Sequence, residues 1–172
     1  MTGRTYGVLF LGVANSARSI LAEAILNDIG AGRFRACSAG SYPLGSVHPI
    51  ALGLLEHLKL PTEDLRSKGW DEYALPGAPP LDFIITVCGR VAEHVCPVWP
   101  GQPVTAHWDI ADPATVEGSE IERWQAFRRA FRELEHRIRL LLALPLDSLE
   151  HLQLHAALTD VGARGAPAEA RG

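Results

Sequence analysis

Apolar residues along this chain follow two rhythms, and their alternation sets the expected architecture. Residues 6–11, "YGVLFL", are a short continuous run of strand formers ending in a loop of small residues. From Ala17 to Ile29 the pattern changes, with Ile20, Leu21, Ala24, Ile25 and Ile29 recurring at helical spacing. Gly30 stands where a C-cap glycine belongs. "RFRACSAG" (33–40) predicts a second strand, and "HPIALGLLEHLKL" (48–60) a second helix with Pro49 early, where its missing N–H costs little. "LDFIITVC" (81–88) is apolar throughout, as expected of a strand covered on both faces. "QPVTAHW" (102–108) is a weaker strand of edge type, with Pro103 tolerable at its start. The longest helix is expected over 119–144, with Ile121, Trp124, Phe127, Phe131, Leu134, Ile138, Leu141 and Leu142 on one face. Strands alternating with helices imply parallel pairing through right-handed crossovers, hence an α/β sandwich. The spacing predicts a main domain over 1–145, then an extension over 146–172. In it "LDSLEHLQLHAAL" (146–158) docks on the surface and the polar tail frays.

Composition narrows the classes of function. At 172 residues the chain is long enough to bury one core, and 47% apolar with 21% charged residues is ordinary for a globule. A net charge of -4 argues against nucleic acid or an anionic membrane as a partner. No run of apolar residues reaches membrane-spanning length, and "MTGRTYG" lacks the build of a signal peptide. A cytoplasmic location is therefore expected, with the three cysteines reduced and any disulfide transient.

Chemistry concentrates in the loop after the first strand, "GVANSARS" (12–19). A strand running through a tight loop into a helix aims several backbone N–H groups at one point, and the helix dipole adds positive charge there. Arg18 at the helix start can fork onto two oxyanion oxygens. Asn15 accepts a left-handed backbone, which helps turn the N–H groups inward. Ser16 and Ser19 offer hydroxyls to steady the loop or an oxygen bound in it. The simpler alternative is an ordinary strand-to-helix turn carrying a surface arginine.

The chain resembles the low-molecular-weight protein tyrosine phosphatases, and within that fold the thiol-dependent arsenate reductases. Their loop reads Cys, five residues, Arg-Ser. Here Asn15, Ser16, Ala17, Arg18 and Ser19 match, whereas Gly12, Val13 and Ala14 replace the cysteine, threonine and glycine. The similarity continues through "SAG" (38–40), "VHPIA" (47–51), "LRSKGWDEYA" (65–74), "FIITVC" (83–88), "CPVWPG" (96–101) and "HWDIADPA" (107–114). It implies a three-layer α/β sandwich with a four-stranded parallel sheet flanked by helices, and a phosphate-binding loop formed by residues 12–19. It also implies phosphate or arsenate as ligand, thioredoxin or glutathione as reductant, a link to arsenic resistance, and no cofactor. Cys88 and Cys96 match the second and third redox cysteines, and Asp112 in "DPA" matches the general acid, with Pro113 fixing it. Asp109 is the weaker alternative. Read by themselves, Cys88 and Cys96 are equally two unrelated thiols, and two cysteines are too few for a structural zinc, so no metal is expected. Cys37 reads as a small buried hydrophobe, Ser38 as a support for the loop, and His48 and His107 as structural or capping residues. A cation beside Asn15 and Ser38, present in some relatives, stays open.

Gly12 decides what the resemblance can mean for activity. Displacement at phosphorus or arsenic by the family route needs an atom that forms the covalent intermediate. Gly12 has none, and neither Ser16 nor Ser19 lies under the loop floor with a base beside it. Removing a thiolate also removes an anion that opposes the ligand, so binding is expected to persist. The expected function is therefore a non-catalytic oxyanion-binding or regulatory pseudoenzyme. The competing expectation is an arsenate reductase or phosphatase still active through Cys88 and Cys96 or an external thiol. An introduced glycine is a third account, less economical because Val13 and Ala14 also depart from the pattern.

Overall fold

A computed structural model of the protein describes residues 4–88 and 99–164. Four strands form one parallel sheet: β1 (Tyr6–Gly12), β2 (Phe34–Gly40), β3 (Phe83–Thr86) and β4 (Val104–His107), in the order β2-β1-β3-β4. β4 is an edge strand, as its mixed composition predicts. Helices α1 (Arg18–Ile29), α2 (Pro49–His57), α3 (Glu120–Leu142) and α4 (His151–Ala163) complete the α/β fold. The chain leaves β1 toward β2 on one side and reaches β3 on the other. The crevice beyond the carboxyl end of β1 therefore lies at the topological switch point, where open α/β sheets bind ligands.

The two sheet faces differ. Val8, Phe10, Phe83, Ile85 and Val87 point into the main core with Ile20, Leu21 and Ile25 of α1, Leu54 and Leu55 of α2, and Phe127, Leu134 and Ile138 of α3. Leu9, Leu11, Ile84 and Cys88 point the other way, against Ala39, Trp70 and the half-buried Cys37, Tyr73 and Trp99. A one-turn 3-10 helix, Trp70–Tyr73, covers part of that second face.

Several boundaries differ from the sequence pattern for local reasons. α2 stops at His57 rather than 60, because Lys59 takes a left-handed backbone with φ 61. α3 begins with a full capping box, in which the Ser119 hydroxyl accepts from Glu122 N–H and Glu122 reaches back to Ser119 N–H. Ile121, expected on the buried face, is exposed. Gly30 does follow α1, yet its φ of -101 is one any residue adopts. It is small because a Cβ there would meet the Leu26 carbonyl oxygen at 2.7 Å.

The segment after Pro145 forms a 3-10 turn, Leu146–Ser148, and then α4, which runs five residues beyond the amphipathic stretch read from sequence. Leu146, Leu158 and Val161 enter the main core, and Trp108 Nε1 donates to the Leu158 carbonyl at 3.1 Å. Gly162 allows this contact, because a Cβ would lie 2.6 Å from both the His107 oxygen and Trp108 Cδ1. Gly162→Ala is expected to push α4 off Trp108 and cost about 1–3 kcal/mol, as overpacking does. A thermal melt followed by tryptophan fluorescence measures it; an unchanged midpoint would show that α4 is held elsewhere.

Candidate functional site

The loop between β1 and α1 is built so that its carbonyls face outward. The Gly12 oxygen accepts from Ser41 N–H at 3.2 Å, Val13 from Tyr42 at 2.9 Å, Ala14 from Leu44 at 2.9 Å, and Ser16 from His48 at 2.9 Å. Ser67 Oγ donates a further 3.0 Å bond to the Ala14 oxygen. Alternating peptide planes that turn their oxygens out direct their N–H groups into the cavity. Asn15 sits at φ 48, the left-handed backbone its side chain tolerates. α1 then starts at Arg18 with no side-chain cap and no acidic residue in its first turn, so its positive end stays available. Gly40, ending β2, permits the close packing of this loop: a Cβ there would lie 2.3 Å from the Val13 oxygen.

These elements enclose a cleft of about 290 Å³ lined by Gly12, Ala14, Asn15, Ser16, Ala17, Arg18, Ser19, Leu44, His48, Asp112 and Ala114. Of the loop residues predicted as oxyanion-binding, only Val13 does not line it; Val13 packs against the second sheet face instead. Arg18 Nη1 donates to the Ile110 carbonyl at 2.8 Å, and Nη2 lies 3.3 Å from Asp112 Oδ2. Asp112 caps a 3-10 turn, Pro113–Thr115, through Oδ1 and the Ala114 N–H at 3.0 Å. The structure thus separates the two aspartates. Asp112 faces the loop, whereas Asp109 lies exposed in a different depression beside His107 and His155.

Behind the loop runs a buried polar chain. Asn15 Nδ2 donates to Ser19 Oγ at 2.8 Å and to Ser38 Oγ at 3.0 Å. Ser38 donates to Glu23 Oε1 at 2.6 Å, and that oxygen lies 3.8 Å from Lys68 Nζ. Lys68 closes the circuit, its backbone N–H donating to Asn15 Oδ1 at 3.0 Å and its ammonium to the Arg66 oxygen at 2.9 Å. Burial raises the Glu23 pKa, against the opposing pull of Ser38 and Lys68. Burial likewise lowers that of Lys68, against the pull of Glu23. Where the sequence left a cation open beside Asn15 and Ser38, a lysine ammonium of this chain faces Glu23. Glu23, Lys68 and Gly40 were not singled out from sequence. The one local signal was a glutamate among the apolar positions of α1.

The cysteines occupy places that restrict their chemistry. A Cβ built on Gly12 points toward α1, 3.5 Å from Ser19 Oγ, so position 12 faces the cleft. Cys88 is buried on the opposite sheet face and does not line the cleft. Cys37 lies half-buried on that second face, its thiol pushed up to about 12 by burial and by the Glu23 carboxylate, so it stays protonated at neutral pH. The register sets Cys37 opposite Leu9 and Leu9 opposite Ile84. Cys88 is thus two strands away and four residues further on, about 16 Å by strand spacing and rise, too far for a disulfide with Cys37. Cys96 lies outside the described residues. His48 caps α2, its Nδ1 accepting from Ile50 N–H at 3.1 Å, and His107 Nδ1 is 2.7 Å from Thr86 Oγ1. Among the described residues, no group of three or more potential metal ligands comes together, and no helix is long and apolar enough to cross a membrane.

A parallel α/β sheet with an anion-type loop at its switch point defines the class, and comparison with known proteins narrows it. Residues 7–154 match the family described as low molecular weight phosphotyrosine protein phosphatase, and the chain belongs to that family. It is 33% identical over 132 residues to the arsenate reductase of Halalkalibacterium halodurans, covering 77% of this chain and 91% of that one. It is 28% identical over 136 residues to the glutaredoxin arsenate reductase of Synechocystis sp., covering 79% and 95%. A crystal structure of an arsenate reductase from Archaeoglobus fulgidus superimposes with a TM-score of 0.62 at 31% identity, covering 80% of this chain and 99% of that one.

Proposed function

We propose that the cleft binds phosphate or arsenate, and that the protein reduces bound arsenate with electrons from a thiol supplied from outside. The observation that carries the binding is the loop itself: outward carbonyls, an uncapped helix start and Arg18 surround one cavity. Reduction is favoured over the non-catalytic role because the relatives above carry the name arsenate reductase, one of them glutaredoxin-linked. Cys88 is a poor first nucleophile, being buried on the far sheet face, and the first thiolate in this reading is external, such as that of glutathione.

In this reading a thiolate attacks arsenic, an As–S bond forms and one arsenate oxygen leaves as water. Asp112, which contacts Arg18 and the Ala114 N–H, gives that oxygen a proton in this reading. A second thiol attacks the bonded sulfur. The disulfide forms, the As–S electron pair stays on arsenic, and arsenite departs. One specific observation favours retention without turnover: Gly12 puts no side chain at the loop floor.

Isothermal titration with phosphate is expected to show binding that Arg18→Ala weakens on the order of 100-fold, through loss of a forked charged contact. Arsenate reduction with glutathione or thioredoxin is expected in the native chain and unchanged in Cys88→Ser. Loss in Cys88→Ser would assign the electrons to the resident cysteine, and no reduction with either thiol would leave a non-catalytic binder. Phosphate binding without Arg18 dependence would overturn the site.

A further inference from the structure

The binding reading leaves one wall of the cleft without a role. His48 is pinned on three sides: its N–H donates to the Ser16 oxygen at 2.9 Å, its Nδ1 accepts from Ile50 N–H at 3.1 Å, and its ring centre lies 4.7 Å from that of Phe127. A nitrogen that accepts from a backbone N–H carries no proton, so in the neutral ring the proton sits on Nε2. His48 lines the cleft with Arg18 and Asp112. A residue of the cleft wall thus carries one further polar atom, Nε2, as a donor of fixed tautomer.

We propose that His48 contacts the bound oxyanion, donating its Nε2–H to an oxygen that points out of the loop. This rests on the binding reading of the cleft and adds a ligand-contacting residue to it. The backbone loop serves the oxygens that sit deep, while Arg18 is shared with Asp112 and the Ile110 carbonyl. An oxygen on the open side needs a further donor, and His48 offers one without adding charge. Full protonation would require Nδ1 to give up Ile50 and so uncap α2. Burial and the Arg123 guanidinium also hold the ring below its ordinary pKa, against the attraction of Asp112. The ring therefore stays neutral and donates to a singly or doubly charged tetrahedral anion alike.

His48→Asn separates this role from capping, because asparagine caps a helix about as well as any residue but is too short to reach the cleft. Titrated with inorganic phosphate, His48→Asn is expected to stay folded with α2 capped and to bind about tenfold more weakly, as loss of one hydrogen bond to a charged group predicts. In the native protein the Nε2 resonance of His48 is expected to shift on phosphate addition. Arg18-dependent binding equal in His48→Asn and native protein, or an unmoved Nε2 resonance, would reduce His48 to a cap. No phosphate binding by the native protein would overturn the cleft reading and this assignment together.

Discussion

Gly12→Cys is expected to turn the protein into a phosphatase, raising hydrolysis of p-nitrophenyl phosphate by on the order of 1,000-fold or more over the native chain, given what nucleophile loss costs enzymes of this kind. The backbone admits the change. Gly12 has no left-handed φ, and an added Cβ meets only Ser19 Oγ at 3.5 Å and Ser19 Cβ at 3.9 Å, ordinary contact distances. A thiol there would sit at the positive end of α1 among inward N–H groups, the setting that lowers a cysteine pKa and supplies thiolate at neutral pH. Asp112, the proposed proton donor to the departing oxygen, lines the same cleft. The same variant should reduce arsenate faster than the native chain with the same thiol. A Gly12→Cys protein that folds, binds phosphate and gains no hydrolysis would mean that Val13 and Ala14 have moved the loop floor out of the line of attack.

Lys68→Met should be the most damaging single change behind the loop. It removes the cation facing Glu23 and leaves a buried carboxylate with Ser38 as its remaining partner among the contacts seen. Breaking one side of a buried pair costs about 3–5 kcal/mol. For a chain of this size that lowers the melting midpoint on the order of 10 °C. Glu23→Gln instead leaves the ammonium with the Arg66 carbonyl but no facing carboxylate and should cost comparably, whereas the double variant should recover most of the loss. The pH dependence follows from the pKa directions. Glu23 is raised, so its contribution is fullest below the ordinary carboxyl value and fades as pH rises through its folded value. Lys68 is lowered, so its contribution is fullest above the ordinary amine value and is lost as pH falls through its folded value. Burial opposes the charge on each group, and their pairing offsets that cost in part. Neutralising both together should therefore flatten the pH profile of stability. Equal melting points for Lys68→Met and the native protein would show the pair to be incidental. Loss of phosphate affinity alongside stability is expected in Lys68→Met, because Lys68 faces Glu23, which accepts from Ser38, which in turn accepts from Asn15 of the loop.

Much of this architecture is local and therefore legible in the sequence. Continuous apolar runs fixed β1 and β3, helical spacing fixed α1 and most of α3, and Pro49 marked the start of α2. The loop could be read because a left-handed asparagine, small residues and an arginine at a helix start are each local choices with a backbone consequence. Helix ends were less legible. α2 ends at His57, two residues before a lysine in the left-handed region, a conformation with no marker in its composition.

What only the tertiary structure decided are relations across the sheet. Strand period two gives Cys88 a face relative to its own neighbours, but pairing with β1 is what sets that face opposite to position 12. Asp109 and Asp112 sit three residues apart in one loop, and only the path of the chain past Arg18 brings one to the cleft and leaves the other in solvent. Glu23 and Lys68 are 45 positions apart in sequence. Nothing local to either says that they share one buried space, since burial of a charge is set by what the rest of the fold lays over it. The sequence by itself determined a strand–loop–helix turn with Asn15, an arginine at the helix start and glycine at position 12. The fold determined which groups surround that loop, because side chains far apart in the chain meet only once the sheet order and register are in place.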